Sequence, residues 1–217
     1  MDSKQSIPAS LVSIPTDSVE LEGRLSLPEG TGSVVLFAHG SGSSRYSPRN
    51  THVAGGLQQA GIGTVLFDLL TEREAADRAN VFDVAFLARR LRGATEWLRR
   101  QKATKVLRTG YFGASTGAAA ALIAAASDTT IRAIVSRGGR PDLARSALPR
   151  VKVPTLLIVG GNDLQVIRLN EQAYEQLACE RQLTIVPGAS HLFEEPGTLE
   201  EVTRLATDWF SQHLTRQ

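Results

Sequence analysis

The chain has very little cysteine and almost no net charge. Both features limit the kinds of site and partner it can have. Only Cys179 among 217 residues is a cysteine, which excludes an intramolecular disulfide and a zinc site built from cysteines. The 24 basic and 22 acidic side chains nearly cancel, leaving a formal net charge of +2. So small an excess does not favour a nucleic-acid partner. We therefore expect neither a bound metal nor a bound nucleic acid.

Long apolar runs are lacking as well. The N-terminal stretch "MDSKQSIPASLV" has no extended apolar region of the kind found in secretion signals. Elsewhere, charged residues interrupt every apolar stretch before it reaches the length of a membrane span. The sequence therefore predicts no membrane partner and a cytoplasmic location.

The densest run of basic residues has the pattern of a helix surface. Around "ARRLRGATEWLRRQKATK", the residues Val84, Ala88, Leu91, Thr95 and Leu98 recur with helical spacing. The pattern predicts an amphipathic helix with its basic side chains in solvent. These side chains are Arg89, Arg90, Arg92, Arg99 and Arg100.

The size and apolar content, 217 residues and 42% hydrophobic, predict a single domain over residues 1–217. "VELEGRLSLP" alternates apolar and polar residues, as a half-buried strand does. "SVVLFAHG" is apolar without interruption from Val34 to Ala38, which is typical of a strand covered on both faces. Further strands are predicted at "GTVLFD", "VLRTGYF", "IRAIVS", "TLLIVG" and "QLTIVPG".

Helical segments alternate with these strands. They are predicted at residues 49–60, at residues 81–101, from Ser115 onward, at residues 169–177 and at the C-terminus. Thr198 and Glu201 have the spacing of a capping box, and the helix they open is expected to bury Val202, Leu205, Ala206 and Trp209. The alternation predicts an α/β fold, a mostly parallel sheet with helices on both faces.

Ser115 lies where such a sheet carries its chemistry, beyond the carboxyl end of a strand. In "YFGASTGAAAAL" it could be a nucleophile on a sharp strand-to-helix turn or an ordinary helix cap, because serine suits both positions. The motif G-x-S-x-G is weak alone. If Ser115 is a nucleophile on a sharp turn, Gly113 and Gly117 must be small, because the turn brings the helix close to neighbouring strands.

A serine nucleophile needs a base and a carboxylate that orients the base. His191 in "PGASHLFEEPG" follows the last strand and is the candidate base. Asp163 in "IVGGNDLQV" follows the preceding strand and is the favoured acid, with Asp142 in "GGRPDLA" as its rival. Asp142 is otherwise expected to cap a short helix or to pair with a nearby arginine. The remaining candidates are expected to be structural or on the surface: Asp68, His39, His52 and His213.

Acyl transfer also needs hydrogen-bond donors for the oxyanion of the tetrahedral intermediate. The backbone N–H of Thr116, directly after the nucleophile, is expected to be one donor. The second should come from "HGSG", where we favour Ser41 over Gly40. Neither donor requires a metal or a cofactor.

"HGSGSS", "GASTG", "GGND" and "GASH" occur in the order and spacing of the α/β-hydrolase fold superfamily, which the chain resembles over nearly its whole length. The compact length is most similar to the dienelactone hydrolase-related branch. The resemblance implies an eight-stranded, mostly parallel sheet without a substantial lid domain. Dienelactone hydrolases proper carry cysteine at the nucleophile position, here Ser115, so the resemblance implies a general hydrolase of small carboxylic esters.

The sequence also allows functions other than that of an esterase. "HGSGSSR" with Asp68 resembles a dinucleotide-binding unit, but Arg45 stands where that motif has its third glycine. The same fold could bind a ligand without turnover, and the same residues could catalyse acyl transfer or perhydrolysis. The charged segment "TEREAADRANVFD", residues 71–83, could fold over the site or lie away from it.

Overall fold

The computed structural model describes residues 7–214, and within that range eight strands form one sheet. The strands are β1 (Ser10–Thr16), β2 (Val19–Ser26), β3 (Ser33–Ala38), β4 (Gly63–Phe67), β5 (Arg108–Ala114), β6 (Ile131–Arg137), β7 (Thr155–Gly160) and β8 (Arg181–Val186). The helices are α1 (Pro48–Gln59), α2 (Glu72–Ala75), α3 (Arg78–Phe82), α4 (Val84–Arg100), α5 (Thr116–Ala125), α6 (Leu164–Gln176) and α7 (Thr198–Leu214). A 3₁₀ segment, Pro141–Arg150, lies between β6 and β7.

The strand order is β1-β2-β4-β3-β5-β6-β7-β8. The five pairings from β4 across to β8 are parallel, whereas β2 is antiparallel to both β1 and β4. The carboxyl ends of the six parallel strands therefore share one edge of the sheet. No lid domain interrupts the order within residues 7–214, so the predicted architecture is confirmed.

Alternating strand residues supply two hydrophobic layers, because successive side chains point to opposite faces. Val34 and Leu36 face α4 and α5, and Val35 and Phe37 face α1 and α7. Helix α5 is buried along almost its whole length, and its run of alanines lets it lie against the sheet and α4 together. This close packing positions the start of α5 at the carboxyl edge.

Strand β1 was not among the strands that the pattern predicts. It forms the outer edge beyond β2, with Leu11 79% exposed, so only part of its apolar pattern is buried. Pro15 interrupts its sequence, and an edge strand tolerates proline because one side of its backbone needs no partner.

The prediction that Arg90 faces solvent is wrong, although Arg89 and Arg100 are exposed as expected. Arg90 is only 3% exposed. Its guanidinium donates to the Thr16 carbonyl at 2.9 Å and forms an ion pair with Glu74 of α2. Periodicity within the helix does not predict this burial, because the partners that cover Arg90 belong to β1 and α2.

Helix boundaries also differ from the predictions. The segment predicted as one helix over residues 81–101 is divided at Asp83, whose carboxylate caps α4 by accepting from Phe86 N at 2.9 Å. Helix α6 begins at Leu164, five residues before the predicted start.

The predicted capping box at the start of α7 is also wrong. The Thr198 hydroxyl donates to the Glu195 carbonyl at 2.7 Å, and Glu201 N donates to the Gly197 carbonyl. The helix buries Val202, Ala206 and Trp209 as expected, whereas Leu205 is only partly buried. Within residues 7–214, no helix combines the length and the apolar character needed to cross a membrane.

Candidate active site

Ser115 occupies a left-handed backbone conformation between β5 and α5, with φ 50° and ψ −120°. Only a few per cent of residues other than glycine adopt a positive φ, and such strain is common at functional sites. The Ser115 side chain makes no capping hydrogen bond to the helix that follows. Of the two alternatives for Ser115, the geometry favours the sharp turn over the ordinary cap.

The two glycines of G-x-S-x-G lie where the backbone approaches other backbone. A Cβ at Gly113 would lie 2.5 Å from the Cα of Ala118. A Cβ at Gly117 would lie 2.6 Å from the carbonyl oxygen of His39, at the end of β3. Real Cβ atoms do not come this close to backbone, so the turn requires glycine at both positions.

His191 and Asp163, predicted from separate loops, are in direct contact. The distance between His191 Nδ1 and Asp163 Oδ2 is 2.6 Å. Asp163 immediately precedes α6, yet its carboxylate does not cap that helix and is free to bind the imidazole. The Asp163 side chain is 15% exposed and that of His191 is 39% exposed, so a ligand can reach the imidazole from solvent.

The loops that carry this pair are tied together through their backbones. Asn162 N donates to the Ala189 carbonyl at 2.9 Å, and its side-chain amide donates to the Gly188 carbonyl at 2.8 Å. At Gly160 a Cβ would lie 2.5 Å from two carbonyl oxygens of the histidine loop. The loop after β7 and the loop after β8 are thus held in one fixed arrangement.

The segment after β6 connects Ser115 with His191. Ser115 N donates to the Arg137 carbonyl at 3.3 Å, and the Ser115 carbonyl accepts from Arg140 N at 3.1 Å. Between them, a Cβ at Gly138 would lie 3.5 Å from the His191 ring and 3.1 Å from the His191 carbonyl. Ser115 and His191 therefore flank the same short piece of backbone.

The "HGSG" loop lies against the nucleophile turn. A Cβ at Gly40 would lie 3.0 Å from the Cβ of Ser115. Ser41 N, the favoured second oxyanion donor, donates to the Thr116 side-chain hydroxyl at 3.1 Å. The structure thus brings Ser41 and Thr116 together beside Ser115. The Thr116 hydroxyl that joins them was not among the side-chain groups predicted from the sequence to have a role.

The rival acids have other partners. Asp142 binds Arg140 with two hydrogen bonds, at 2.9 and 2.8 Å, as one of its structural alternatives predicts. Asp68 accepts from Arg45 N at 2.7 Å and forms an ion pair with its guanidinium. In a dinucleotide-binding protein, Asp68 would bind a ribose hydroxyl. In this structure the Asp68 carboxylate is instead paired with Arg45.

Three histidines lie outside the pair with Asp163. His39 Nε2 accepts from Leu69 N at 3.1 Å, and its Nδ1 lies 3.0 Å from the Gly40 carbonyl. These contacts stabilise the loop, so His39 is structural, as expected. Burial lowers the pKa of His39, outweighing the Gly40 carbonyl and the charge of Asp68. His52 is exposed on α1, and His213 packs against Trp209.

A cavity of about 480 Å³ opens beside the Ser41 loop. The Ser41 loop and Asp68 form one side, and Thr71, Ala75 and Val81 line it from residues 71–83. The charged segment, whose position the sequence left open, therefore forms a wall of this cavity. Within residues 7–214, no group of three or more histidine, cysteine, aspartate or glutamate side chains could hold a metal ion.

Comparisons with known proteins show the family of this chain. The model of the dienelactone hydrolase family matches residues 59–214. A crystal structure of dienelactone hydrolase from Anabaena variabilis is 56% identical, with a TM-score of 0.94 over 97% of this chain and 100% of that one. Est1E from Butyrivibrio proteoclasticus has a TM-score of 0.79 at 15% identity, over 93% of this chain and 98% of that one, and shares the fold.

A longer relative is known from Mycobacterium tuberculosis. A protein named "Putative phosphoribosyl transferase" is 56% identical over 204 residues, which are 94% of this chain and 46% of the relative. The chain thus spans about half the length of that relative. The matched family model, the Anabaena structure and the eight-stranded sheet lead to one conclusion: this α/β hydrolase belongs to the dienelactone hydrolase family.

Proposed function

We propose that the chain hydrolyses small carboxylic esters through an acyl-enzyme formed on Ser115. The observation that carries the proposal is the 2.6 Å contact between His191 Nδ1 and Asp163 Oδ2. The backbone around Gly138 lies between His191 and Ser115, whose side chain caps no helix. In this scheme Ser115 is the nucleophile, His191 the general base and then general acid, and Asp163 the orienting carboxylate. No cofactor is required.

The proton transfers follow from which nitrogen Asp163 binds. With Nδ1–H donating to Asp163, Nε2 of the neutral His191 can accept the Ser115 proton as its oxygen attacks the ester carbonyl. The imidazolium returns this proton to the leaving alcohol when the carbon–oxygen bond breaks. A water then attacks the acyl-enzyme, with His191 again taking one proton and returning it to Ser115.

The oxyanion of each tetrahedral intermediate needs donors that are already in place. We assign the N–H groups of Thr116 and Ser41 to this role. Ser41 N donates to the Thr116 hydroxyl, and we propose that it keeps this contact and shares its proton with the oxyanion when substrate binds. The cavity beside the Ser41 loop is the proposed site for one of the two groups that flank the ester.

Transfer of a phosphoribosyl group is not part of this proposal. The name of the mycobacterial relative describes a protein of which the chain matches 46%. We place any such activity of the relative in the part that this chain does not match. The geometry around Ser115 supports acyl chemistry instead.

A fluorophosphonate probe tests whether Ser115 is activated. Purified wild-type protein should be labelled at Ser115, as located by peptide mass spectrometry, and labelling should be lost in Ser115→Ala and His191→Ala. Ser146→Ala, which removes an exposed serine of the 3₁₀ segment, is the matched control and should keep the label. A folded wild type that stays unlabelled would favour a ligand-binding protein without turnover.

The pH dependence tests the base separately. Because His191 must be neutral to accept the proton, kcat/KM should rise with pH through one ionisation and then reach a plateau. Hydrolysis of 4-nitrophenyl acetate between pH 5 and 8 measures it. A flat profile across that interval would exclude His191 as the base.

A further inference from the structure

Asn170, in the middle of α6, is a buried polar side chain that the proposed reaction does not use. It is 0% exposed, and its neighbours on the same face of the helix, Val166 and Ala173, are buried and apolar. Asparagine is a poorer helix former than leucine, and a buried amide costs free energy unless it is hydrogen-bonded. The reason for an asparagine at this position therefore lies in its contacts.

The Asn170 amide joins two backbone carbonyls. Its Nδ2 donates to the Val166 carbonyl at 2.8 Å, within α6, and to the Gly139 carbonyl at 3.0 Å, beyond the end of β6. Because both partners are acceptors, the nitrogen of the amide must be the atom that faces them. Its Oδ1 has no hydrogen-bond partner within residues 7–214. The bond to Gly139 is thus made although burying Oδ1 without a partner is unfavourable.

Gly139 belongs to a short turn, residues 138–140, that contacts both Ser115 and His191. We call this segment the glycine turn. At its end, Arg140 N donates to the Ser115 carbonyl at 3.1 Å. At its start, a Cβ on Gly138 would lie 3.5 Å from the His191 imidazole. A shift of the glycine turn would therefore move the nucleophile and the base relative to each other.

The glycine turn needs contacts from outside to keep one conformation, because two consecutive glycines are flexible. Gly138 has a φ of 51°, in the left-handed region. Its N–H donates to the Ile158 carbonyl of β7 at 2.8 Å. The carbonyl of the following residue, Gly139, is the one that Asn170 binds. These two hydrogen bonds fix the glycine turn to β7 and to α6.

Helix α6 also carries the candidate acid. Asp163 directly precedes α6, and its carbonyl accepts from Ile167 N at 2.9 Å, so Asp163 is held by the first helical turn. Asn170 comes about two helical turns after Asp163, which places both residues on the same side of the helix. The bond between Asn170 and Gly139 therefore connects the helix that holds Asp163 to the turn that flanks Ser115 and His191.

We propose that Asn170 is a positioning residue, which holds Ser115, His191 and Asp163 in their relative positions through the glycine turn. This inference rests on the proposed function and adds to it a residue that touches neither the substrate nor the reacting atoms. Its importance follows from the sensitivity of catalysis to geometry, because a misplacement of about 1 Å can lower a rate about 100-fold.

The first arm of the test is kinetic. Asn170→Leu removes the amide and keeps a side chain of similar size that favours a helix. For 4-nitrophenyl acetate, kcat should fall about tenfold with little change in KM, because Asn170 does not contact the substrate. Labelling of Ser115 by a fluorophosphonate should slow by a similar factor, since attack by the serine is the affected step.

A second variant isolates the long-range hydrogen bond. In Asn170→Thr the hydroxyl can still bond to the Val166 carbonyl, one helical turn earlier, but it is too short to replace the amide at Gly139. The fall in kcat should therefore match that of Asn170→Leu. A smaller loss in helix stability is expected for Asn170→Thr than for a variant without any polar group at this position.

Two control variants separate positioning from stability. Gln172→Leu makes the same amide-to-leucine exchange at an exposed position of α6 and should leave kcat and KM unchanged. Thr95→Val removes a buried hydrogen bond of 2.7 Å between the hydroxyls of Thr95 and Tyr111. It should lower the Tm measured by thermal unfolding and leave kcat unchanged.

The second arm measures the glycine turn itself. Hydrogen exchange of peptides covering residues 136–143 reports on the amides of Gly138 and Arg140, which are bonded to Ile158 and Ser115. Their exchange should be about tenfold faster in Asn170→Leu than in the wild type, because the turn opens more easily. Peptides covering residues 33–38, in β3, should exchange at the same rate in both.

The outcomes separate this inference from the proposed function. The inference is wrong, while the esterase stands, if kcat is unchanged in a folded variant of Asn170, if Thr95→Val loses as much kcat, or if exchange in the turn is unchanged. Should Asn170→Leu fail to fold, Asn170→Thr decides. If the wild type cleaves no ester and Ser115 is not labelled, the esterase is wrong, and this inference is wrong with it.

Discussion

At the scale of single residues, the contact between Ser41 N and the Thr116 hydroxyl is the feature most open to experiment. The hydroxyl oxygen accepts from Ser41 N at 3.1 Å and so holds the amide beside Ser115 before any substrate arrives. A preorganised donor avoids reorganisation during the reaction, which is the main advantage of such sites. Thr116 would thus act twice, with its own N–H and with its side chain.

Thr116→Val tests the side-chain role, because valine keeps the shape and loses the hydroxyl. We expect kcat to fall about tenfold with little change in KM, less than the loss of a whole oxyanion donor because both amides remain. Steady-state hydrolysis of 4-nitrophenyl acetate measures both constants. Thr116→Ser should retain most of the activity, and an equal loss in both variants would contradict the role of the hydroxyl.

The sequence predicts residues for the candidate site, but it does not predict the hydrogen bonds around them. Ser115, Asp163 and His191 could be located because each follows a recognisable strand, and the carboxyl ends of parallel strands meet. The Thr116 hydroxyl, Asn162 and the tie between the two loops involve partners far apart in the sequence. No local pattern records which distant carbonyl an amide will meet.

At the scale of elements, residues 71–83 form a wall that is anchored by one buried ion pair. Glu74 of α2 closes a capping box with Thr71 and pairs with Arg90 of α4. Desolvation by burial opposes ionisation of Glu74, but the hydrogen bonds from Thr71 and the charge of Arg90 outweigh it and lower the pKa of Glu74. The cavity wall therefore depends on a carboxylate.

Glu74→Gln should destabilise the protein at neutral pH by about 2 kcal/mol, below the usual range for breaking a buried pair because Glu74 is 20% exposed. A group whose pKa is lowered on folding stabilises the folded state above its unfolded pKa and loses that effect as the pH falls. Urea denaturation of wild type and variant should thus show a difference that is full at pH 7 and shrinks in the acid range. A constant difference would contradict the role of the ionised pair.

The same segment shows why elements were only partly predictable. Long periodic helices such as α1 and α7 were located within a few residues. Helices α2 and α3 have only four and five residues, too short for a helical period to show in "TEREAADRANVFD". The burial of Arg90 was not predicted, because the side chains that cover it belong to other elements, β1 and α2.

At the scale of the whole molecule, the sheet should be stable at its centre and weaker at its edges. Every residue of β3 is buried, and β3 pairs with β4 on one side and β5 on the other. In β8, at the outer edge, only Val186 is buried. Local opening is easier where few apolar contacts hold a strand.

Hydrogen exchange followed by mass spectrometry checks this gradient. Amides of β3 and β5 should exchange roughly tenfold or more slowly than those of β8, because they open only in larger unfolding events. Peptides covering residues 33–38, 108–114 and 181–186 give the comparison. Equal protection across the three would show that the sheet opens as one cooperative unit.

Cys179 lies between α6 and β8, at the amino end of β8 and thus at the opposite edge of the sheet from Ser115. Burial raises the pKa of its thiol above the ordinary value, so little reactive thiolate is present at neutral pH. Thiol-directed and serine-directed inhibitors would therefore address opposite ends of this molecule. A dye or spin label attached through Cys179 at alkaline pH, where the thiolate forms, would lie at the opposite edge of the sheet from Ser115.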